Sequence, residues 1–344
     1  MRGTRFCEVA DVTPKVSVIV PTYNRKRLLL DLLETLAAQT MPHGWFEILV
    51  MDNGSVDGTA EAVAEFKRKH PSLQLEFHVM PFNGGPVYSR NRAVGLARGQ
   101  VLFFTDSDVI VSPDWLERGL APFERDPEMA MVSGPTVDKP NQPHRFFSVG
   151  TSNRCDENPI FPTSNVVYRK AVFEELGGFD LVTNARPWMG VALECSDVDL
   201  AWKVIDGGYR TEFLKDLVVF HEVRVEPPVR WLATQLRVLH IPMIVRRHPG
   251  ARKSLLWFGP FAAPENLYFY IAVVTSILAL VLRSPWWLLG LLPLYGRFHP
   301  FLRPSWVPLR WPKLAAQFVM ILIRQTLICG LLLYGSVRSR QVVL

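Results

Sequence analysis

The sequence predicts an α/β protein built on an open sheet, followed by a helical region that associates with a membrane. Short apolar segments of strand character each end in polar residues and lead into a helical pattern, which is typical of such sheets. From Pro227 onward the chain carries fourteen Lys and Arg and only one acid, Glu265. This basic half also contains long apolar segments, residues 266–282 and 314–334.

The first two predicted strands are residues 16–20 and 47–51, and helical patterns follow them at 27–39 and 61–70. The first strand runs into Pro21-Thr22-Tyr23-Asn24 and the second into Asp52-Asn53-Gly54-Ser55. In open α/β sheets ligands bind beyond the carboxyl ends of the strands, so both segments are expected at one crevice. Asp52 also suits a plain turn and helix cap, and the residues alone leave both interpretations open.

Two carboxylates follow the third predicted strand, residues 101–105, in the tripeptide Asp106-Ser107-Asp108. Carboxylate oxygens are preferred ligands of Mg²⁺ and Mn²⁺, and magnesium sites commonly combine one or two carboxylates with substrate phosphates. The pair therefore predicts a divalent cation, Mg²⁺ or Mn²⁺, that bridges two phosphates.

The order and spacing of several short motifs resemble those of family 2 glycosyltransferases, over about residues 15–225. The resemblance implies a Rossmann-like GT-A domain that binds a nucleotide sugar. The motifs are Val18-Ile19-Val20-Pro21-Thr22-Tyr23-Asn24, Met51-Asp52-Asn53-Gly54-Ser55, Asn83-Gly84-Gly85 with Ser89-Arg90-Asn91, Phe104-Thr105-Asp106-Ser107-Asp108, Thr163-Ser164-Asn165, Gly177-Gly178-Phe179-Asp180, and Ser196-Asp197-Val198-Asp199-Leu200.

The resemblance also implies a role for individual positions. Asp108 and His221 are expected to hold the metal, and Asp197 matches the catalytic base of the family. The residues expected to bind the donor are Pro21, Tyr23, Asp52, Arg90 and Asp106, with Asp106 at the ribose.

This arrangement implies metal-dependent transfer with inversion at the anomeric carbon. A bound cation neutralises the leaving diphosphate, and a carboxylate takes the proton of the acceptor hydroxyl as that oxygen attacks. A base on the opposite face of the sugar from the diphosphate implies a single displacement.

Four further residues are expected to contact the acceptor or donor, each with a structural alternative. Asp199 competes with Asp197 as the base, because the two lie about 200° apart around a helix and cannot face the same acceptor. Asn165 faces the sugar or caps the next helix, near Arg169. Arg230-Trp231 matches part of a motif of polymer-making relatives, but Trp231 also suits an anchor of a membrane-surface helix.

The charge distribution favours a membrane and excludes nucleic acid as a partner. Residues 227–344 carry a formal +13, which leaves −7 on residues 1–226. The acidic half would repel a phosphate backbone, and the arginines of the basic half are interleaved with apolar runs. Residues 229–248 mix apolar and basic side chains, which predicts a helix on an anionic membrane surface, broken at Pro242.

We therefore expect four regions: a 1–14 extension, a 15–226 catalytic domain, a 227–265 interface segment and a 266–344 transmembrane or re-entrant region. Basic residues flank residues 266–296 on both sides. This predicts a hairpin or re-entrant pair that enters the cell (inner) membrane from its cytoplasmic side. Residues 314–334 are expected to cross once, with Arg324 facing protein, water or a headgroup. The Pro-rich residues 293–312 are expected to form a loop, and residues 1–12 lack the pattern of a secretory signal.

The expected function is transfer of one sugar from a nucleotide-sugar donor to a lipid-linked or membrane-proximal acceptor, in cell-envelope glycan or glycolipid synthesis. One alternative is a polyprenyl-phosphate sugar synthase, whose acceptor is the lipid phosphate itself. Another is a scaffold without catalysis, which the retained Asp106, Asp108, Asp197 and His221 argue against.

Overall fold

A computed structural model describes residues 13–151, 156, 159–181, 184–188, 191–302 and 311–344. The expected 1–14 extension therefore lies almost wholly outside the described residues. The chain divides into two compact units. The first is drawn from Met1–Gln142, Gly150–Val182 and Ser196–Val223, and the second from Pro143–Val149, Thr183–Cys195 and Arg224–Leu344.

A seven-stranded sheet forms the centre of the first unit. Its order is β12-β6-β9-β4-β1-β2-β3, and only β9 runs antiparallel to its neighbours. The strands are β1 Val16–Thr22, β2 Phe46–Asp52, β3 Gln74–Val79, β4 Val101–Phe104, β6 Met129–Ser133, β9 Val166–Arg169 and β12 Arg210–Phe213. Because β1, β2 and β4 are buried along their whole length, their sequences are mainly apolar. The α/β, Rossmann-like prediction is confirmed.

Six helices accompany this sheet within the described residues of the first unit. They are α1 Lys26–Ala37, α2 Thr59–Lys69, α3 Gly85–Val94, α4 Trp115–Arg125, α5 Lys170–Glu175 and α6 Ser196–Asp206. In α1, Leu29, Leu32, Leu33 and Leu36 are fully buried and follow a helical spacing, so this face packs on the sheet.

The strand β3 corrects the sequence analysis, which placed no strand between residues 51 and 101. Its side chains are mostly half-buried, and Gln74, Glu76 and His78 interrupt the apolar pattern. Because β3 forms the edge of the sheet, its polar side chains remain accessible to water. Asp106 and Asp108 therefore follow the fourth strand of the chain, not the third.

A small sheet adds one more strand end to the site. Its strands are β5 Val109–Val111, β7 Thr136–Asp138 and β13 Val219–His221, with β13 in the middle. In the antiparallel pairing with β5, His221 lies opposite Val109. This register places the His221 backbone beside Asp108, whose carbonyl accepts a hydrogen bond from Glu222 N at 2.9 Å.

Asn165 holds three segments of the first unit together. Its amide nitrogen donates to the carbonyls of Pro135 (3.0 Å) and Leu217 (2.6 Å), and its oxygen accepts from the indole N–H of Trp115 (3.0 Å). The side chain is fully buried and satisfies these buried polar groups. The residue at the N-cap position of α5 is Arg169, so Asn165 does not cap that helix, and its expected contact with the sugar stays a prediction.

The second unit is mainly helical. Its described elements are the strands β8 Ser148–Val149, β10 Asn184–Trp188, β11 Val191–Glu194 and β14 Arg224–Val225, the 3₁₀ segments Thr234–His240, Pro249–Ala251 and Pro285–Leu291, and the helices α7 Pro228–Ala233, α8 Ile241–Arg247, α9 Arg252–Leu255, α10 Pro264–Val281, α11 Leu292–Leu302 and α12 Trp311–Ser339. The expected surface helix at 229–248 is thus split into α7, a 3₁₀ segment and α8, with Pro242 in the first turn of α8.

The helix α10 and the segment 285–302 form an antiparallel hairpin. Gly290 contacts Thr275, and Arg297 in the middle of α11 forms an ion pair with Glu265 at the start of α10. The helix α12 runs antiparallel to α10: Gln325 donates a hydrogen bond to Asn266 at 2.6 Å, while the earlier residue Ile321 clusters with the later residue Ala272. The hairpin and α12 share one apolar cluster of Ala272, Leu294, Ile321 and their neighbours.

One expectation for this region is corrected. Residues 292–302 form a helix where a Pro-rich loop was expected, and residues 303–310 lie outside the described part of the chain. The second half of α12 does not continue along α10. Instead, Ile328 and Leu332 pack against Val245 and the 3₁₀ segment 234–240.

We predict that Asn165→Ala lowers the free energy of unfolding by about 2–4 kcal/mol, because it leaves two carbonyls and one indole N–H buried without partners. The control is Trp115→Phe, which removes only the indole donor. In a double-mutant cycle measured by chemical denaturation, Trp115→Phe should cost less when Asn165 is already Ala. Strict additivity of the two losses would contradict this role of Asn165.

Candidate metal and nucleotide-sugar site

The carboxyl ends of three parallel strands lie side by side in the first unit. Thr22 at the end of β1 pairs with Asp52 at the end of β2, and Ile19 of β1 pairs with Phe104 at the end of β4. The polar residues after these strands therefore meet at one edge of the sheet, as the sequence predicts. Ligands of open α/β sheets bind in this position.

Asp106, Asp108 and His221 form a compact cluster at this edge. One ligand atom from each residue lies within 4.8 Å of the others. Asp108 is 1% exposed, whereas the side chains of Asp106 and His221 are 26% and 15% exposed. The cluster is therefore reached from solvent through Asp106 and His221, with Asp108 at its base.

A hydrogen bond orients the imidazole of His221. Its Nδ1 lies 2.9 Å from the carbonyl oxygen of Glu222, an arrangement in which Nδ1 carries the proton and donates it. Its Nε2 lies 3.4 Å from Oδ1 of Asp108. This is the orientation of a metal-binding histidine whose second nitrogen is held by a carbonyl.

Two arginines balance the negative charge of the cluster. Arg25 lies 2.9 Å from Oδ2 of Asp108, and the buried Arg90 lies 2.6 Å from Oδ1 of Asp106. Burial alone would raise the pKa of Asp106, but the positive charges of Arg90, His221 and Arg25 outweigh it and hold this pKa below its usual value. Asp106 is consequently an anion at neutral pH and can act as a ligand.

The donor atoms of the cluster suit a divalent cation. Two carboxylates and one imidazole offer oxygen ligands, which Mg²⁺ and Mn²⁺ prefer, together with a nitrogen ligand. Asp108 is buried, and Arg25 and His221 lie 2.9 and 3.4 Å from its two carboxylate oxygens. A cation at this position would satisfy the charge of Asp108 directly.

The other residues expected to bind the donor occupy the same edge. Pro21 is buried in β1, and Tyr23, just beyond the strand, is 48% exposed and available for stacking. Asp52 is buried, and its carboxylate accepts hydrogen bonds from the backbone N–H and the hydroxyl of Ser55. The structure thus places Asp52 in a turn as well as at the crevice, in line with both interpretations of the sequence.

The two acids of α6 differ in their surroundings. Asp199 is fully buried and forms an ion pair with Lys203 at 3.0 Å, so it has a structural partner within its own helix. Asp197 is partly exposed in the first turn of α6. Only Asp197 has a carboxylate that solvent, and hence an acceptor, can reach.

Arg230 and Trp231 belong to the second unit. The guanidinium of Arg230 lies 3.2 Å from Glu226, and the indole of Trp231 packs on the rings of Phe146 and Phe147. Their expected contact with the acceptor or donor stays a prediction.

The sequence analysis did not identify Arg25 or Tyr168 as part of this region. Burial and the nearby Asp197 carboxylate both raise the pKa of Tyr168, so its phenol is neutral. Arg25 directly follows the Pro21-Thr22-Tyr23-Asn24 segment, and its position next to a predicted site was the available signal. Neither residue stands in a motif that marks it, because their partners are distant in the sequence.

An open α/β sheet with an acidic, histidine-containing cluster beyond its strand ends is compatible with the class of nucleotide-sugar-dependent transferases. Comparison with known proteins agrees with this class. Residues 17–177 match the sequence profile described as Glycosyl transferase family 2. The chain therefore carries a family 2 glycosyltransferase domain, and the class of its activity is glycosyl transfer.

Two relatives illustrate the range of the family. The glycosyltransferase AglE of Haloferax volcanii is 29% identical over 231 residues, which cover 65% of this chain and 72% of AglE. The poly(ribitol-phosphate) beta-N-acetylglucosaminyltransferase TarS of Staphylococcus aureus is 38% identical over 108 residues, 31% of this chain. This match spans only 18% of TarS, which is a much longer protein.

Solved structures share the fold. The mannosyltransferase PcManGT from Pyrobaculum calidifontis, in complex with GDP-Man and Mn²⁺, has a TM-score of 0.57 and 20% identity, with 94% of this chain and 87% of PcManGT covered. TarS residues 1–349 from S. aureus, in complex with UDP-GlcNAc, have a TM-score of 0.50 and 20% identity, with 95% and 92% covered. These likenesses confirm the GT-A fold.

We predict that Arg25→Met strengthens Mn²⁺ binding by roughly fivefold, which corresponds to about 1 kcal/mol for a partly exposed ion pair. The reason is that Arg25 and a cation would share the Asp108 carboxylate. Mn²⁺ affinity is measured by calorimetry on the full chain without donor. The control Arg27→Met removes a neighbouring arginine that is 75% exposed, and equal affinities in both variants would contradict the prediction.

Proposed function

We propose that the protein is a metal-dependent, inverting glycosyltransferase that moves one sugar from a nucleotide donor to a lipid-linked or membrane-proximal acceptor. The observation that carries the proposal is the Asp106, Asp108 and His221 cluster beyond the strand ends of a family 2 domain. Long-chain polymer synthesis is disfavoured, because the chain has Pro227 where the polymer-making motif begins with Gln or Arg.

The donor part of the proposal rests on the site and on two structural neighbours. PcManGT was solved with GDP-Man and Mn²⁺, and TarS with UDP-GlcNAc, so both neighbours bind nucleotide sugars. In this chain Tyr23 is available to stack on a base, and Arg90 fixes Asp106 where a ribose would lie. Asp106, Asp108 and His221 would hold a divalent cation, whose chemistry is to neutralise charge on the leaving diphosphate.

The remaining task is to activate the acceptor, and we assign it to Asp197. A carboxylate that accepts the proton of the attacking hydroxyl must be ionised and accessible. Asp197 is partly exposed, whereas Asp199 is buried against Lys203. Attack from the face opposite the diphosphate then gives a single displacement with inversion.

We further propose that the second unit attaches the protein to the cytoplasmic side of the cell membrane. The helix α10 and residues Leu314–Ser339 of α12 are long and apolar enough to cross a bilayer. Large apolar side chains of the hairpin are exposed to solvent, including Leu280 at 79% and Trp286 at 77%. Such a surface is typical of membrane or partner contact.

We predict that Asp197→Asn lowers kcat by roughly 10²- to 10⁴-fold, because the acceptor loses its base. The KM for the donor should change little. Nucleoside diphosphate release is measured over a panel of nucleotide sugars, with Mn²⁺ or Mg²⁺ and a membrane extract as the acceptor source.

The matched control is Asp199→Asn on the same helix. It should lower thermal stability, because Lys203 loses a buried partner, while kcat of the folded protein stays within about tenfold. A greater loss of kcat in Asp199→Asn than in Asp197→Asn would reverse the assignment of the base.

We predict that Val274→Glu combined with Ile277→Glu, at exposed positions nearer the middle of α10, releases the protein from membranes, because each acid costs about 2–3 kcal/mol near the middle of a bilayer. Retention is measured by carbonate extraction of cell membranes. Val56→Glu, at an 88% exposed site of the first unit, is the control and should leave retention unchanged. Retention of the double variant at the wild-type level would refute insertion of the hairpin.

A further inference from the structure

We propose that the second unit contains a binding site for the phosphate group of a membrane lipid, built from Arg324 and Arg297 beside Trp231. The proposal rests on the membrane attachment proposed above. It assigns a ligand to a cluster of charged residues that glycosyl transfer at the strand ends does not use.

The first step is the position of Arg324. Its guanidinium lies 5.6 Å from the centre of the Trp231 ring, within the range of a cation–π contact. Among the described residues, Arg324 forms no ion pair with a carboxylate. A guanidinium stacked on an aromatic face keeps its N–H groups directed outward in the plane, where they can donate to an anion.

The second step is the surplus of positive charge around Arg324. Gln325 donates a hydrogen bond to Asn266, and Glu265 and Arg297 both lie near enough to Arg324 to interact with it electrostatically. Glu265 is already engaged, because Arg297 approaches one of its oxygens with two nitrogens, at 2.5 and 2.6 Å. Arg324 and Arg297 thus share one acidic neighbour, and this cluster of described residues carries more positive than negative charge.

The third step is the location of this charge along the helices. Glu265 lies at the start of α10, and Arg297 reaches it from the far end of the hairpin. Arg324 is level with them, although it is near the middle of α12. The charged groups therefore lie at one end of an apolar hairpin about 27 Å long. In a membrane this end corresponds to the depth of lipid phosphates.

The surrounding side chains suit a lipid. The rings of Phe146, Phe147 and Trp231 pack together with centres 4.9–5.7 Å apart. Phe146 also joins the apolar cluster of α10, α11 and α12. Paired guanidinium groups bind phosphate through charge-assisted hydrogen bonds, and aromatic side chains are enriched at the membrane interface.

The test is lipid binding by the full chain in detergent, followed by native mass spectrometry. The probes are a polyprenyl monophosphate, the matching polyprenol, phosphatidylglycerol and inorganic phosphate. We expect the polyprenyl monophosphate to bind at least tenfold more tightly than the polyprenol, and Arg324→Gln to remove most of this difference. Arg338→Gln, at an exposed position of the same helix, should bind as the wild type does.

A second variant, expected to raise the affinity for the lipid phosphate, distinguishes loss of the site from misfolding. Glu265→Gln releases Arg297 from its ion pair, so it should bind the lipid phosphate more tightly than the wild type. Equal binding of polyprenol and polyprenyl monophosphate, or unchanged binding in Arg324→Gln, would overturn the site. Binding of phosphatidylglycerol that depends equally on Arg324 would support the site and identify its ligand as bulk phospholipid. Binding of inorganic phosphate alone would overturn the lipid assignment.

Carbonate extraction separates this test from the proposed membrane attachment. Arg324→Gln should remain in the membrane fraction, because the apolar hairpin is intact. Release of the wild-type protein itself would instead refute the attachment on which the site rests.

Discussion

The burial of Asp108, in the turn between β4 and β5, is the constraint on which the site depends. Its side chain is 1% exposed, and burying a charged group is costly unless positive charge or a metal lies beside it. The structure brings Arg25 from the loop after β1 and His221 from β13 to this carboxylate. Each element is thereby fixed to β4, and the same charges create a place for a cation and a diphosphate. Stability and ligand binding thus depend on one set of residues.

The sequence predicts those strands whose side chains are buried on both faces of the sheet, and it misses a strand at the sheet edge. The strands β1, β2 and β4 are buried on both faces, so their sequences are mainly apolar, with Ser17 and Glu47 as buried polar exceptions. The strand β3 is mostly half-buried at the sheet edge and carries polar residues, which makes its pattern weak. The prediction of α/β architecture therefore succeeded, while the strand count was one short between β2 and β4.

The same distinction applies to the site. Motif residues such as Asp106 and Asp108 were predicted because a short segment carries both their chemistry and their position. Asn165 also stands in a motif, but its three partners are thirty to fifty-two residues away in the chain. Whether a polar side chain faces a ligand or satisfies buried backbone depends on such distant contacts, which no local pattern contains. Arg25 was not predicted for the same reason, because its partner Asp108 is distant in the sequence.

In the second unit, polar residues determine how apolar helices pair. Apolar side chains alone give little register specificity, because many alignments bury similar area, whereas an amide pair fits only one. The Asn266 and Gln325 pair is almost completely buried and fixes α12 against α10. The 29 residues of α12 therefore serve two functions, since the half before Gln325 packs with the hairpin and the half after it packs with residues 234–247. Hydropathy averages over both halves, so the sequence does not reveal that they pack against different partners.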